Sequence, residues 1–144
     1  MRLSLDRIND AIHFRGTNGA YDVAIASSDD QEGISPMEMA ALSVLGCSSI
    51  DILMILEKQE QDIDDFHAEV DTIRADEPPR VFTDLHLRYS FEGDVSPDKV
   101  RRAITLSLDK YCSVSNMVDQ TATITYAFTV NGTPYEQEEP ASRT

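Results

Sequence analysis

Two cysteines are the residues of this sequence best suited to redox chemistry. Cys47 lies in the apolar stretch "MAALSVLGCSSIDILMIL", and Cys112 lies in "LSLDKYCSV", 65 positions further along the chain. One reading is two small buried side chains, a common role for unpaired cysteine. The other is a redox pair, because disulfides in the cytoplasm are usually transient and catalytic. The residue types alone leave both readings open.

The side chains near the cysteines do not form an evident metal site. Zinc needs more ligands than two thiols, and the three histidines have no helical or turn spacing with either cysteine (His13, His67, His86). We therefore expect no metal and no bound cofactor. Asp51 follows Cys47 by four positions and shares its helix face, where a carboxylate would raise the thiol pKa. Asp51 is expected to cap or to pair with a basic residue such as Lys110.

The element that must hold Cys47 is a long helix. Ser35, Pro36 and Glu38 form a capping box with proline at the first helical position, which predicts a helix from 36 to about Gln59. Its apolar residues occur on nearly all sides, which predicts burial all round. Serines and Asp51 interrupt the run, so a core helix fits better than a membrane span. We expect a partner subunit to cover it, which predicts an obligate homodimer.

The remaining patterns predict strands before this helix, two strands and a second helix after it, and a last strand over 121–130. The inward residues of the strand over 81–91 are predicted to be Val81, Leu85, Leu87, Tyr89 and Phe91. The buried stripe of the second helix, which Ser96 caps, is predicted to be Val100, Ala103, Ile104, Ser107 and Tyr111. This grouping favours an α+β fold with antiparallel sheets around a long buried central helix. We expect a single domain over 1–132 and a polar, mobile tail over 133–144.

Composition excludes some partners. The chain has 144 residues and a formal net charge of −14, from 26 acidic and 12 basic residues. Such a surface repels nucleic-acid phosphates and anionic lipid headgroups, so we expect neither nucleic acid nor membrane as a partner. The N-terminus has acidic residues where a secretory signal needs an apolar region, which predicts a cytoplasmic protein.

Taken together, "SPMEMAALSVLGCSSIDIL" and "LSLDKYCSV" resemble the OsmC/Ohr superfamily and are most similar to its OsmC-like branch, which "PRVFTDLHLRY" also fits. The resemblance runs from about residue 20 to 130. It implies an OsmC-like fold, an intertwined homodimer and a thiol-dependent peroxidase acting on organic hydroperoxides. By motif, Cys47 is the peroxidatic thiol and Cys112 the resolving thiol. The resemblance also implies an external dithiol, lipoyl-linked or another, that reduces their disulfide.

The resemblance further implies a group that ionises Cys47. The Ohr branch uses an arginine from the N-terminal strands, held by a glutamate directly after the proline that opens the helix. Met37 stands at that position here, and Glu38 follows it. Nine helical positions separate Glu38 from Cys47 by about 13.5 Å, on opposite faces. Glu38 is therefore expected to cap the helix or to act across a dimer, and Arg15 is the candidate arginine.

Two other functions compete with the peroxidase. One is a non-catalytic OsmC-like dimer that binds a small apolar ligand in its interface cleft. The other is a structural dimer with inert thiols. The peroxidase needs Cys47 partly exposed, the Cys112 sulfur within reach and a guanidinium nearby. The ligand-binding protein predicts an apolar pocket without a cation near Cys47, and the structural dimer predicts two buried, distant sulfurs.

Overall fold

A computed structural model describes residues 1–27 and 32–137, and the chain forms two compact units, Met1–Ala40 and Ala41–Thr144. Helix α1, Pro36–Lys58, begins in the first unit and continues in the second. Because the chain divides into these two units, the single domain over 1–132 stays a prediction.

The first unit contains an antiparallel sheet in the order β1-β2-β3, with strands at Ser4–Arg7, His13–Thr17 and Asp22–Ala26. The start of α1 follows this sheet. The Ser35 N–H donates to the Glu38 carboxylate at 3.0 Å, and the Glu38 N–H donates to the Ser35 hydroxyl at 3.2 Å. This reciprocal pair confirms the predicted capping box and fixes where α1 begins.

The second unit contains a mixed sheet in the order β4-β5-β6-β7, with strands at Asp62–Arg74, Phe82–Asp94, Thr123–Val130 and Thr133–Glu136. The α+β class is confirmed. The prediction of purely antiparallel sheets is wrong for β5 and β6, which pair in parallel. Their connection contains α2 (Pro97–Leu106), a π-helical turn (Ser107–Tyr111) and α3 (Ser113–Val118). A helical crossover of this kind returns the chain to the sheet in the same direction.

The strand β7 corrects the prediction of a tail over 133–144. Thr133–Glu136 pairs with β6 across a two-residue turn at Asn131 and Gly132, whose φ angles are +49° and +82°. Both positive angles suit a tight hairpin turn, for which Asn-Gly is the preferred pair. Polar composition concealed this hairpin. Residues 138–144 of the predicted tail lie outside the described residues.

The predicted inward position of Val81 is also wrong. Val81 is exposed, and Phe82 is the buried residue at the start of β5. The register between β4 and β5 shifts between Ile73 and Arg74, where Arg74 pairs with Phe82. An irregularity of this kind moves side chains to the other face, which strict alternation over 81–91 does not anticipate. Leu85, Leu87, Tyr89 and Phe91 are buried as predicted.

Helix α1 has one buried face and one exposed face in the second unit. Its buried residues there are Ala41, Val44, Leu45, Ser48, Ile52 and Leu56. Leu42, Ile50 and Met54 are exposed and recur at helical spacing. By length and composition α1 could cross a membrane, but the core helix of a soluble protein passes the same test. We interpret α1 as a core helix, and the predicted partner that covers its exposed face stays a prediction.

A buried hydrogen bond joins α1 to the sheet one residue after Cys47. The hydroxyls of Ser48 and Tyr89 lie 2.6 Å apart, and Ser48 also donates to the Leu45 carbonyl at 3.1 Å. Both side chains are fully buried. Because water cannot replace either partner, this contact holds the helix turn that carries Cys47 at a fixed position over β5.

We expect Ser48→Ala to destabilise the protein more than Tyr89→Phe. The first substitution leaves the Tyr89 hydroxyl buried without its partner, at a cost of about 1–3 kcal/mol in the free energy of unfolding. The second leaves Ser48 its bond to Leu45. The double variant should lose less than the sum of the single losses, as measured by urea unfolding. Additive losses would contradict a direct interaction between the two hydroxyls.

Candidate functional site

The π-helical turn places Cys112. The Cys112 N–H donates to the Ser107 carbonyl at 2.7 Å, a bond that spans five residues instead of four. The additional residue rotates the following chain, so Leu108 and Cys112 are buried and Tyr111 is exposed. Tyr111 was predicted to continue the buried stripe, and that prediction is wrong because it assumed regular α-helical periodicity. Turns of this type are frequent at functional sites.

Ser107 joins this turn to α1 by hydrogen bonds. Its buried hydroxyl lies 3.0 Å from an Asp51 carboxylate oxygen and 3.3 Å from the Ser48 carbonyl, with both as acceptors. The expected pairing of Asp51 with Lys110 is not found. The Lys110 ammonium instead lies over the Tyr111 ring, 5.3 Å from its centroid. Asp51 is therefore held by a neutral hydroxyl, and its negative charge is not offset by that contact.

The Cys47 thiol is half-buried, and residues at the beginning of α3 contact it. Burial raises the pKa of Cys47. Hydrogen bonds from the Val114 N–H, the Cys112 thiol and the Ser113 hydroxyl outweigh that effect and hold the pKa below its ordinary value, although the Asp51 carboxylate opposes them. The Ser113 oxygen lies 3.9 Å from the sulfur. The groups that stabilise the thiolate are thus neutral donors, and a lowered pKa marks a nucleophilic thiol.

The Cys112 thiol has the opposite character. Its side chain is fully buried, and burial raises its pKa, as does the nearby Cys47 sulfur. The Ser115 N–H donates to the sulfur at 3.4 Å, which offsets part of that rise. Cys112 is therefore the protonated member of the pair when Cys47 is ionised.

The fold brings Cys47, Cys112 and Asp51 together. The two sulfurs and one carboxylate oxygen of Asp51 lie within 4.8 Å of one another. A disulfide bond forms only when two cysteine sulfurs come into direct contact, and the closeness of these two sulfurs allows that. Both cysteines are unpaired thiols. Their proximity argues against the structural dimer, which predicted distant sulfurs. The same three groups are a set of side chains that could hold a metal ion.

Arg15 and Glu38, the other two candidate site residues, lie in the first unit. The Arg15 guanidinium is exposed and lies 3.9 Å from the Asp22 carboxylate. Hydrogen bonds from the Ser35 N–H and hydroxyl lower the pKa of Glu38, as its place in the capping box requires. Capping therefore accounts for Glu38. The role of Arg15 in activating Cys47 stays a prediction.

Sequence reasoning missed the groups that ionise Cys47. Ser113 and Val114 follow Cys112 directly, and the first turn of α3 presents donors because helix-initial N–H groups have no partners within the helix. The stretch "CSVSNMVDQ" is compatible with a further helical turn, and Ser113 is a small polar residue at its start. Nothing in the sequence indicates that this turn faces Cys47.

The match to a protein-family model decides the family. The model described as OsmC-like protein matches residues 28–127. The chain belongs to the OsmC-like family. It is similar to Protein YhfA of Escherichia coli (strain K12), with 35% identity over 111 residues that cover 76% of this chain and 83% of the relative. The predicted OsmC-like membership is thereby confirmed.

Solved structures support the fold. A hypothetical protein from Aquifex aeolicus VF5 has a TM-score of 0.82 at 24% identity, covering 90% of this chain and 95% of that one. An organic hydroperoxide resistance protein OsmC from Legionella pneumophila has a TM-score of 0.65 at 13% identity, covering 90% and 94%. At these identities the likeness establishes a shared OsmC-like fold and carries no function by itself.

We expect Ser113→Ala to raise the pKa of Cys47, because it removes one donor to the thiolate. Alkylation rate follows the thiolate fraction, so it rises with pH to a plateau with its midpoint at the pKa. The wild-type midpoint should lie below that of free cysteine and shift upward in Ser113→Ala. Iodoacetamide labelling of Cys47, read by peptide mass spectrometry across pH, measures both values.

The matched control is Asp51→Asn, which removes a group that raises the pKa of Cys47 and should shift the midpoint downward. Equal midpoints in all three proteins would contradict the proposed electrostatics of the site.

Proposed function

We propose that this protein is a cytoplasmic thiol-dependent peroxidase that reduces organic hydroperoxides through Cys47 and Cys112. The observation that carries the proposal is a half-buried thiol of lowered pKa beside a fully buried thiol, with the two sulfurs within 4.8 Å. An accessible thiolate and an adjacent protonated thiol are the two parts that a peroxidatic and a resolving cysteine require.

The first step oxidises Cys47. Its thiolate attacks one oxygen of the peroxide bond, the O–O bond breaks, and the alkoxide leaves and takes a proton to become an alcohol. Cys47 becomes a sulfenic acid, and the peroxide is reduced by two electrons. The Val114 N–H and the Ser113 hydroxyl keep the sulfur anionic before the attack. Because both groups are neutral, they add no positive charge that would attract an anionic substrate.

The second step forms the disulfide. The Cys112 sulfur attacks the sulfenic sulfur, an S–S bond forms and the S–O bond breaks. The hydroxide that leaves combines with the Cys112 proton to give water. An external dithiol, lipoyl-linked or another, then exchanges with this disulfide and is itself oxidised to a disulfide. The two cysteines return to thiols, which closes the cycle without a bound cofactor.

The surroundings of Cys47 favour organic over inorganic peroxides. Ile50 is exposed on the same helix, three positions after Cys47. Apolar surface of this kind gains free energy when it is covered by an alkyl or aryl group. Hydrogen peroxide has no such group and would bind without that contribution.

The exposed side of α1 also supports the homodimer. Leu42, Ile50 and Met54 form a stripe along one helix face, each with more than half of its surface exposed. A contiguous apolar helix face is a common subunit interface, and a second copy of α1 would be an equally apolar partner. In this arrangement the subunit interface, and not an open helix face, would present the apolar surface beside Cys47 to the alkyl group of the substrate.

A second candidate function rests on the first unit. A groove of about 500 Å³ lies there and is lined largely by apolar side chains, among them Leu3, Leu5, Val23, Ile25 and Met39. A small apolar ligand suits such a lining. Among the described residues the groups that act on Cys47 include no cation, which also matches the non-catalytic alternative, although that alternative placed its ligand in the interface cleft.

We expect Ile50→Glu to convert the dimer to a monomer, because burying a carboxylate in an apolar interface is costly. Light scattering after size-exclusion chromatography measures the mass. Ile73→Glu is the matched control, since Ile73 and Ile50 are 61% and 62% exposed and only Ile50 lies in the stripe. A monomeric wild type, or equal masses for both variants, would overturn the interface.

We expect one equivalent of tert-butyl hydroperoxide to remove two thiols per chain from the reduced protein. In Cys112→Ser the sulfenic acid at Cys47 should persist and react with dimedone. Cys47→Ser should lose no thiol, because the buried Cys112 is protonated and inaccessible. Thiol titration and mass spectrometry measure these outcomes. Unchanged thiols in excess peroxide would overturn the peroxidase and favour the ligand-binding alternative.

A further inference from the structure

Three potential metal donors converge at the site. Asp51 lies one helical turn after Cys47, and the π-helical turn brings Cys112 to the same place, so two sulfurs and a carboxylate oxygen lie within 4.8 Å of one another. We propose that Cys47, Cys112 and Asp51 bind one thiophilic divalent metal ion, such as Zn²⁺, in the reduced protein. The sequence spacing gave no reason to expect this, because it offered no third donor from a histidine.

The charges of the cluster favour a cation. With both thiols deprotonated, three negatively charged donor atoms would lie within 4.8 Å of one another and would repel each other. Within residues 1–27 and 32–137, no lysine, arginine or histidine forms an ion pair with Asp51. A divalent ion among the three groups would convert their mutual repulsion into attraction. The net charge of −14 also draws cations toward the protein.

The donor types select the metal. Thiolate sulfur with one carboxylate suits Zn²⁺ and similar ions, whereas Mg²⁺ and Ca²⁺ prefer oxygen alone. Three protein ligands and one open position form a known zinc arrangement. Two sulfurs on a tetrahedral zinc lie about 3.8 Å apart, so donors within 4.8 Å of one another need to move together by at most about 1 Å. The fourth position is open to water or to the Ser113 hydroxyl.

A neighbouring residue already orients the carboxylate. The Ser107 hydroxyl donates to an Asp51 oxygen at 3.0 Å and is itself fully buried. Hydrogen bonds of this kind hold metal ligands in position and contribute to affinity. Ser107 belongs to the π-helical turn that also places Cys112, so one segment fixes two of the three donors.

Metal binding would alter the redox chemistry of the pair. Binding releases the thiol protons, and the metal then shares the sulfur electrons that would attack a peroxide. A metal-bound site is therefore protected from oxidation, and formation of the disulfide removes both thiolate ligands and releases the metal. Binding to the reduced thiols does not depend on the proposed function, whereas this release does.

The test is metal titration of the reduced protein without peroxide. Co²⁺ should bind at one ion per chain and produce the near-ultraviolet absorption of sulfur-to-cobalt charge transfer, and Zn²⁺ should abolish it. Zn²⁺ affinity follows from competition with a chromogenic chelator. Asp51→Asn should weaken binding at least about tenfold. Glu57→Gln, which removes the same charge from an exposed position of α1, should leave it unchanged.

Three further results decide the proposal. Cys47→Ser and Cys112→Ser should each lose the charge-transfer band, and Asp51→Glu, which keeps a carboxylate, should bind more tightly than Asp51→Asn. Equal affinity in Asp51→Asn and Glu57→Gln, or Co²⁺ binding without thiolate absorption, would mean an adventitious ion only and would overturn it. Metal binding by thiols that are inert to peroxide would overturn the peroxidase and retain the metal site.

Discussion

The structure of the site depends on holding negative charge on the Cys47 sulfur by hydrogen bonds, because the groups of residues 1–27 and 32–137 that act on this sulfur include no cation. The protein has a net charge of −14, and Asp51 lies on the same helix face as the thiol. Both features oppose ionisation, as does partial burial. The Val114 N–H, the Ser113 hydroxyl and the Cys112 thiol overcome them. Neutral donors act only at hydrogen-bond range, so the position of the chain that carries them has to be accurate.

Two buried serines, Ser107 and Ser48, set that position through hydrogen bonds, and we call them the anchors. Ser107 connects the π-helical turn to α1 through Asp51 and the Ser48 carbonyl. Ser48 in turn meets Tyr89 of β5 through a buried hydroxyl pair. Ser48 lies just after Cys47, and Ser107 lies a few residues before Cys112. These two buried side chains therefore constrain the positions of both thiols. A change at either anchor would move the donors relative to the Cys47 sulfur.

Local signals made some of this arrangement predictable from the sequence. The capping box located the start of α1, and alternation located the core face of β5. The cysteines were paired through a resemblance, since a separation of 65 positions carries no geometric information. The π-helical turn was unpredictable, because a five-residue hydrogen bond leaves the local residue types unchanged while it moves Tyr111 outward and Cys112 inward. The Asn131-Gly132 turn was readable, but the polar residues after it masked β7.

Neutral donors and a cation can both stabilise a thiolate, but they differ in the net charge that remains around it. A guanidinium that stabilises a thiolate also cancels its charge, so the neighbourhood ends close to neutral. Hydrogen bonds from an amide and a hydroxyl stabilise the thiolate and leave its full charge in place beside Asp51. The second thiol then meets a negative neighbour, which is why the proximity of Cys47 raises the pKa of Cys112. The same uncompensated charge raises the pKa of Cys112, as the proposed resolving step requires, and would attract the proposed divalent cation. The proposed peroxide reactivity and the proposed metal affinity would therefore arise from a single electrostatic arrangement and would compete for the same sulfur.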